Sequence, residues 1–519
     1  MRYSSKDFHQ DYRYSLEKEF LTSSGERYPY AQDGGYRRWG DEEHKLTFDD
    51  QQPNVAVVSD DGKYLAIGVQ NEIHVVETET FSVQQVLRGP DSRVDALAFQ
   101  PGDSNTLVSA AMNMYAGSTP TDPTIIIWNL KDQASKVDLA EDDADSVAAL
   151  SVAAAQAVGS KLTAISLDET EVTALSNVFI PLIRQALAKH SIIDCPQLHG
   201  RLVTSFQAKP FSPSGKCMLY LPGDRPRSND KDDRWTVKIH AMADHKDVAT
   251  LAGHTDSIVW TGFNADETLI GSVSWDKTVR IWTWQWSPEG GRDSTNPSTA
   301  SEPLLKLKYT FETSGQNWTG GFSPDSRFFA ATCGDGTIHV YNLSHGTTLF
   351  THDSGRQWYR ALDWHLDNDG SHGLLCVGGR QGGKVLLFDI ETQTVIQERQ
   401  LGVDRIRNMT EQHLRFMSRM LETSLVRFVD RGRKVVIFTS GDGSAEVYDL
   451  VEERKWRFAR EGVDQDSTTE KPTDEEDGNS VSGIAGFRMV VWEDLRHQIM
   501  LAAVDGDAVR IWDVPLTSM

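Results

Sequence analysis

The sequence predicts an all-β protein built from many short strands that repeat along the chain. Its 519 residues include 40 glycines, which separate short runs of β-branched and aromatic residues. Such runs between glycine-rich turns are typical of strands joined by tight turns. Similar runs recur, such as Thr124–Asn129 (TIIIWN) and Ala508–Asp513 (AVRIWD). We therefore expect a repeated architecture.

The clearest repeat is Leu251–Trp284, which reads LAGHTDSIVWTGFNADETLIGSVSWDKTVRIWTW. Strand-like runs alternate in it with turns, and Asp276 lies in a turn six residues before Trp282. The same spacing from a turn aspartate to an aromatic residue recurs in two later segments, from Asp335 to Tyr341 and from Asp442 to Tyr448. The chain thus contains at least three related units.

These units resemble the repeats of the WD-repeat (WD40) family, with a Gly-His start, an aspartate in the turn and a tryptophan near the end. In that family each repeat forms one four-stranded blade of a β-propeller. The resemblance covers about Asn54 to Val514 and implies a propeller of eight blades, with seven as the alternative. The count comes from eight third-strand endings, which lie near Val76, Trp128, His240, Trp282, Tyr341, Phe388, Tyr448 and Trp512.

Four residues of the clearest repeat match the hydrogen-bonded tetrad of the family: His254, Ser272, Asp276 and Trp282, with Ser274 as the alternative serine. Serine, histidine and aspartate also make up a catalytic triad. However, the spacing fits a buried strut that ties the turn to the strand. No GxSxG elbow presents either serine as a nucleophile. We therefore interpret the tetrad as structural.

The remaining segments define the expected domain organisation. Residues 1–43 lack any period and are expected to be a disordered tail, while residues 44–519 form a single propeller. His44–Phe48 (HKLTF) is expected to complete the last blade after Trp512, because closing the ring needs a strand from the other end of the chain. Residues 287–303 and 461–480 have the composition of flexible loops.

A helical insertion is expected at residues 131–200, between blades 2 and 3. Its composition shifts to Ala, Leu and Asp, and Ser166 and Glu169 fit a capping box before a helix. Val172, Leu175, Phe179, Leu182 and Ala186 then recur at helical spacing. The helices either pack on the flank of the propeller or dock a partner.

Charge and composition exclude several classes of function. The chain has 52 Lys and Arg against 75 Asp and Glu, a net charge of −23 that repels phosphate backbones and argues against a broad nucleic-acid surface. The four cysteines are far apart and form no CxxC pair. No long apolar run predicts a membrane span, and the polar N-terminus lacks the apolar stretch of a signal peptide. We expect an intracellular protein in the cytoplasm, the nucleus or both.

No catalytic, cofactor or metal motif is found in the sequence. It contains no P-loop and no HExxH motif, and its acidic run at 141–145 lacks calcium-loop spacing. The leading function is a non-catalytic protein-interaction scaffold, a subunit of a multiprotein complex whose partners are other proteins. The alternative is a propeller enzyme or small-molecule binder that uses the central channel. A ubiquitin-ligase substrate adaptor is a further alternative within the scaffold class, although the W-D-x-R motif common in such adaptors lacks its arginine here, at Trp512–Pro515.

The resemblance also implies where partners bind. In the family, exposed positions three and five residues after the repeat histidine, and just before the turn aspartate, lie on the top face of the propeller. Carried onto this chain, they give Trp275, Trp318, Trp358, Arg360, Arg93, Val259 and Gln316, with Ser257, Gly334, Asp95 and Arg488 as further positions. Trp275, Trp318, Trp358 and Arg360 come from three consecutive blades, so we expect them to lie together. Trp260 and Trp364 are expected to fill the core.

Overall fold

The structure is a computed structural model in which residues 14–514 are described except for 33, 49–50, 91, 112–123, 132–142, 163–167, 193, 224–234, 287–302, 356, 368–369, 371, 404–420, 442, 460–487, 495–497 and 506–507. The predicted flexible loop at 461–480 lies outside the described residues. So does the predicted loop at 287–303, apart from Pro303.

The described residues contain 33 strands in seven hydrogen-bonded sheets. The three N-terminal strands are β1 (Tyr14–Lys18), β2 (Tyr36–Arg38) and β3 (His44–Thr47). The first sheet is made of β4 (Pro53–Val58), β5 (Tyr64–Val69), β6 (Glu72–Glu77) and β7 (Val83–Arg88). The next sheet has seven strands: β8 (Val94–Gln100), β9 (Asp103–Ala111), β10 (Thr124–Asn129), β11 (Gln197–Arg201), β12 (Cys217–Pro222), β13 (Val237–Ala241) and β14 (Lys246–Leu251).

The other five sheets follow in chain order. Two are β15 (Ile258–Phe263), β16 (Leu269–Ser274), β17 (Thr278–Gln285) and β18 (Leu304–Glu312), then β19 (Asn317–Phe322), β20 (Phe328–Cys333), β21 (Thr337–Asn342) and β22 (Thr347–Asp353). Two more contain β23 (Tyr359–Leu366), β24 (Gly373–Gly379), β25 (Val385–Asp389) and β26 (Thr394–Val403), then β27 (Thr423–Val429), β28 (Lys434–Thr439), β29 (Ser444–Asp449) and β30 (Arg454–Ala459). The last contains β31 (Arg488–Glu493), β32 (Ile499–Val504) and β33 (Ala508–Val514).

The sheets stack on one another through apolar faces, which explains why their middle strands carry continuous apolar runs. Every residue of β16, β28 and β32 is buried. Between β30 and β33, for example, Phe458 and Trp512 belong to one buried cluster. A single four-stranded sheet cannot bury both faces alone, so each sheet depends on its neighbours.

The first strands of successive sheets surround a common centre. β31 packs against β4, β4 against β8, β15 against β19, β19 against β23, β23 against β27, and β27 against β31. The seven-stranded sheet meets the next sheet through one buried cluster that contains Leu219 of β12 and Ile258 of β15. The sheets therefore close into a ring, which confirms the predicted all-β propeller. All eight predicted third-strand endings lie in described strands. The number of blades stays a prediction, because β11 and β12 pair at Gly200–Pro222 and Arg201–Leu221 and so join two expected repeats into one sheet.

The described part of the N-terminal segment contains paired strands, so the expectation of a disordered tail is wrong there, while residues 1–13 lie outside the described residues. β1 pairs antiparallel with β26, and β2 pairs parallel with β30. Phe20 and Tyr28 are buried against Tyr448, with ring centroids 4.6 and 5.6 Å away. The outermost strand of a sheet presents unpaired N–H and C=O groups, and β1 and β2 satisfy two such edges. Isolated edge strands leave no repeat signal in the sequence.

The predicted closing strand is confirmed. β3 pairs antiparallel with β33, with His44 opposite Ile511 and Thr47 opposite Ala508. It becomes the outermost strand of the last sheet, next to strands more than 400 residues later in the chain. The two ends of the chain are therefore joined by backbone hydrogen bonds.

Two helices, α1 (Asp143–Leu162) and α2 (Glu169–Ser191), lie between β10 and β11. These strands pair with each other, so the helices interrupt a hairpin within one sheet and not a connection between two blades. Asp168 and Glu171 form the capping box of α2 by accepting each other's backbone N–H at 2.8 and 3.0 Å. Ser166, the expected cap, lies outside the described residues. Leu182, which lies on the expected apolar face of this helix, is 54% exposed.

Candidate functional site

The tetrad of the clearest repeat is hydrogen-bonded in the structure. His254 Nδ1 donates to Asp276 Oδ2 at 2.8 Å. Ser272 Oγ donates to His254 Nε2 at 2.8 Å and accepts from Trp282 Nε1 at 3.2 Å. A carboxylate can only accept, which places the ring proton on Nδ1 and makes Nε2 the acceptor. The network ties the turn at Asp276 to β16 and β17.

Burial sets the charge states in this network. It lowers the pKa of His254, against the opposing effect of Asp276, so the imidazole stays neutral at pH 7. Burial would raise the pKa of Asp276, but the hydrogen bonds that its carboxylate accepts from His254, Thr278 and the backbone of Thr255 hold it well below its usual range. Ser272 is fully buried, so its hydroxyl is closed to substrates and serves the strut.

A recurring backbone hydrogen bond defines one face of the ring. In four consecutive sheets, the residue just after the second strand donates its N–H to the carbonyl of the residue just before the first strand. The pairs are Trp275 to Ser257 (2.9 Å), Gly334 to Gln316 (2.6 Å), Arg380 to Trp358 (2.8 Å) and Ser440 to Glu422 (2.8 Å). Equivalent positions in the four sheets therefore lie on the same face. Five of these eight residues are ones that the sequence predicted for it.

The structure brings Trp275, Trp318, Trp358 and Arg360 together, as expected from three consecutive sheets. The ring centroids of Trp275 and Trp318 are 5.4 Å apart, and those of Trp318 and Trp358 are 5.1 Å apart. The guanidinium carbon of Arg360 lies 4.1 Å from the centroid of Trp318 and 5.3 Å from that of Trp358. Arrangements of this kind are attractive because a cation meets the negative face of the ring.

Three residues that the sequence analysis missed complete the group. The ring centroid of Phe206 lies 5.4 Å from the guanidinium carbon of Arg360. The guanidinium carbon of Arg380 lies 5.1 Å from the ring centroid of Trp358. Glu422 accepts from Arg360 Nη1 at 3.3 Å. We call these seven residues the arginine–tryptophan cluster: Phe206, Trp275, Trp318, Trp358, Arg360, Arg380 and Glu422.

A signal for two of the missed residues was present in the sequence. Arg380 follows β24 as Trp275 follows β16, and Glu422 precedes β27 as Gln316 precedes β19. Extending the repeat alignment by one more unit would have found them. Phe206 carries no such signal, because it comes from a segment between two sheets.

Two tryptophans of the cluster differ strongly in solvent exposure. Trp358 is 39% exposed, whereas Trp318 is only 7% exposed. Trp318 was expected to be a surface residue, and that expectation is wrong because Trp275, Trp358, Phe206 and Arg360 cover its ring. Burial lowers the pKa of Arg360 and the charge of Glu422 opposes this, but a guanidinium stays charged at neutral pH in either case.

The other predicted surface positions lie outside the cluster. Gln316 and Arg93 are exposed, and Val259 is half-buried. Arg93 precedes β8, and its charge and that of Asp95 both act on Arg488 at the start of β31, so these three residues form a separate group. Trp260 and Trp364 are 5% and 7% exposed, as expected for core residues.

A short 3-10 turn, Ser205–Gln207, lies between the first strands of four sheets and contacts β15, β19, β23 and β27. Gln207 Nε2 donates to the carbonyl of Val426 at 2.7 Å, and its Oε1 accepts from the N–H of Leu362 at 2.9 Å. The carbonyl of Phe206 accepts from Thr319 Oγ1 at 2.8 Å. The turn therefore occupies space at the centre of the ring and is bonded to its walls.

Other kinds of site would need metal ligands or a membrane-spanning helix among the described residues. Within these residues, no group of three or more His, Cys, Asp or Glu side chains is placed to hold a metal ion. No helix in the described part of the chain is long and apolar enough to cross a membrane.

Comparisons with known proteins agree with the repeat pattern. The family model "WD domain, G-beta repeat" matches residues 245–283 and 310–342. A part of the chain is 29% identical over 174 residues to Elongator complex protein 2 of Dictyostelium discoideum, covering 31% of this chain and 18% of that protein. Another match is 28% identical over 149 residues to Pre-mRNA-processing factor 19 homolog 2 of Arabidopsis thaliana, covering 28% and 25%.

A third relative is the DDB1- and CUL4-associated factor 11 homolog of Caenorhabditis briggsae, 25% identical over 179 residues, covering 30% of this chain and 32% of that protein. The matches thus span less than a third of each of these relatives. Among solved structures, the C-terminal WD40 domain of Sif2 matches with a TM-score of 0.43 and 14% identity, over 76% of this chain and 81% of that one. The matching family model and the repeat motifs show that this chain contains WD repeats, and the ring of sheets agrees with a WD40 β-propeller.

Proposed function

We propose that this protein is a non-catalytic interaction scaffold, a subunit of a multiprotein complex, that binds a protein partner through the arginine–tryptophan cluster. The observation that carries the proposal is Trp358, a tryptophan 39% exposed beside two arginines on the face defined by the repeats. Tryptophan and arginine dominate the binding energy of many interfaces, because tryptophan buries a large area with few rotatable bonds and arginine offers a charge and a planar set of hydrogen-bond donors. The name of one relative, Elongator complex protein 2, also refers to a complex.

The test is partner capture from a cell extract by the full chain and its variants. We expect Trp358→Ala and Arg360→Ala each to weaken the main partner by more than about 1 kcal/mol. Lys306→Ala is the matched control, because this exposed cation lies on the outermost strand β18, away from the cluster. If both cluster variants capture every partner as well as the wild type does, the binding surface is elsewhere, and α1 and α2 become the next candidates.

A second candidate within the scaffold class is a ubiquitin-ligase substrate adaptor. Its support is the similarity to the DDB1- and CUL4-associated factor 11 homolog. Against it, Trp512–Pro515 lacks the motif arginine, and Asp513 of that motif is paired with Arg37 at 2.8 Å. Purification with a cullin-based ligase subunit in stoichiometric amount would support this candidate, and its absence from all captured complexes would dismiss it.

The alternative of a ligand in the central channel has less support. The 3-10 turn at Ser205–Gln207 takes up space there and hydrogen-bonds to two of the surrounding strands. A thermal-shift screen with a metabolite panel tests this alternative. A saturable rise in melting temperature that Phe206→Ala or Gln207→Ala abolishes would favour the channel over the scaffold.

A further inference from the structure

The charge of the arginine–tryptophan cluster differs in sign from that of the whole chain. The cluster contains two guanidinium groups, Arg360 and Arg380, and one carboxylate, Glu422. The protein as a whole carries a net charge of −23. A local excess of positive charge on an acidic protein attracts acidic groups of a partner and orients them.

Glu422 holds the guanidinium of Arg380 less closely than that of Arg360. Glu422 is hydrogen-bonded to Arg360, with Nη1 at 3.3 and 3.4 Å from its two oxygens. The Nε atom of Arg380 is 3.8 Å from the nearer Glu422 oxygen, which is too far for a hydrogen bond. The buried Nε of Arg380 has no hydrogen-bond partner among the described residues, while the side chain as a whole is 33% exposed.

The other unpaired polar atoms of the cluster are donors as well. Among the described residues, the indole N–H groups of Trp275 and Trp318 have no hydrogen-bond partner, and neither do the Nε groups of Arg360 and Arg380. Trp318 is more than nine-tenths buried. These four donor atoms are buried, so the group that a partner can reach is the partly exposed guanidinium of Arg380, which can bind a carboxylate through two parallel hydrogen bonds.

An apolar contact lies next to these donors. Trp358 is 39% exposed, and the Arg380 guanidinium carbon is 5.1 Å from its ring centroid. A ligand that places a carboxylate on Arg380 therefore has the indole of Trp358 beside it. Nucleic acid also carries acceptors, but the net negative charge of the chain repels a continuous phosphate backbone.

We propose that the arginine–tryptophan cluster binds an acidic peptide segment of a partner protein, with an Asp or Glu carboxylate on Arg380 and an adjacent apolar side chain on Trp358. This inference rests on the proposed function, since it names the chemistry of the partner at the same surface. Arg380 is the specificity-determining residue and Trp358 is the apolar anchor.

The test is a titration of the full chain with a short fluorescent peptide in which Glu alternates with Leu and Phe. We expect saturable binding that weakens with added salt. Arg380→Ala should weaken binding about tenfold, as expected for the loss of a hydrogen-bonded ion pair. The affinity of Arg380→Lys should fall between those of the wild type and Arg380→Ala, because a lysine keeps the charge but loses the planar pair of donors. Lys306→Ala should bind as the wild type does.

Three outcomes would overturn the inference: equal binding of the same peptide with Gln in place of Glu, equal binding of an oligonucleotide of matched charge, or full binding by Arg380→Ala. A charge exchange gives an independent check, since Arg380→Glu should prefer a peptide with Lys in place of Glu. The melting temperature of each variant shows that it folds. If the peptide does not bind but Trp358→Ala still loses the partner from the extract, the acidic-peptide inference fails and the scaffold function stands.

Discussion

At the scale of single residues, the same chemical types serve two separate purposes in this protein. Trp282 donates to a buried serine and stabilises one sheet, whereas Trp358 reaches the surface beside two arginines. The difference depends on position in the repeat: Trp282 lies within β17, and Trp358 precedes β23. The two roles predict distinct responses to substitution.

The His254–Asp276 pair should make stability depend on pH. The lowered pKa of His254 means that the unfolded chain takes up a proton that the folded chain resists, so stability falls as pH drops below about 6.5. Asp276 acts in the same direction at lower pH, because its folded pKa is depressed and its contribution is lost as pH falls below about 3.9. Denaturant midpoints measured from about pH 7.5 to pH 5 should fall.

His254→Gln is the control for this pH dependence. It should be less stable at neutral pH, because Ser272 and Asp276 lose a partner, by about 1–3 kcal/mol. It should also show a flatter pH profile between about pH 7.5 and pH 5. A variant with the same slope as the wild type would assign the pH dependence to other groups.

Core and surface residues of the same blade should separate stability from binding. Trp364 is 7% exposed, and its Nε1 donates to the carbonyl of Gly321 at 3.1 Å. Trp364→Ala should therefore lose about 3–5 kcal/mol of unfolding free energy. Arg360→Ala should lose less than about 2 kcal/mol, since it removes a partly exposed ion pair and ring contacts. Equal losses in chemical denaturation would show that Arg360 is a core residue.

At the scale of elements, the N-terminal segment joins three sheets that lie far away in sequence. β1 extends the sheet of β26, β2 extends that of β30, and β3 completes that of β33. Between β1 and β2, Glu19 reaches Lys455 of β30, and both side chains are almost fully buried. A buried pair of this kind is costly to break, because the remaining charge has lost its partner.

Removing one member of this pair should destabilise the protein more than removing both. We expect Glu19→Ala to cost about 3–5 kcal/mol, because it leaves the ammonium of Lys455 buried without its carboxylate. The double variant Glu19→Met and Lys455→Met should recover most of that loss, since two apolar side chains of similar length need no partner. Equilibrium urea unfolding of the single and double variants provides the comparison. A double variant as unstable as Glu19→Ala would mean that packing and not charge sets the cost.

At the scale of the whole molecule, the ring is closed by β3. Without this strand, β33 would present an unpaired edge and Leu46 would leave the buried cluster between the last sheet and the first. The first and last sheets are neighbours, because β31 packs against β4. Loss of β3 is therefore expected to weaken the contact between the two ends of the ring.

Deletion of residues 1–50 should sharply lower the melting temperature, because the last sheet loses its outermost strand and two other sheets lose their added edges. A matched pair of point variants tests the closing strand by itself. Leu46→Asp should lower the melting temperature, since it places a charge against an apolar cluster. Lys45→Asp is its control, because it introduces the same charge at an exposed side chain of the same strand. Melting curves that are unchanged for both the deletion and Leu46→Asp would refute the role of β3 in closure.

The sequence by itself determined the propeller, the tetrad, the closing strand and the face on which Trp275, Trp358 and Arg360 lie. The repeat positions follow from periodicity, the tetrad and the face follow from the resemblance to the WD-repeat family, and the closing strand follows from the need to close the ring. The repeat signal fails where a residue's surroundings come from another sheet or from a segment outside the pattern.

Only the tertiary structure decided the rest. It paired residues 14–18 and 36–38 with strands about 400 residues away, and it placed Phe206 and Gln207 among the first strands of four sheets. It also buried Trp318 and brought Arg380 and Glu422 to Arg360. The physical reason is that hydrogen bonding to a sheet edge and packing across the ring depend on which chain segments meet in space. The local pattern of apolar and polar residues does not contain that information.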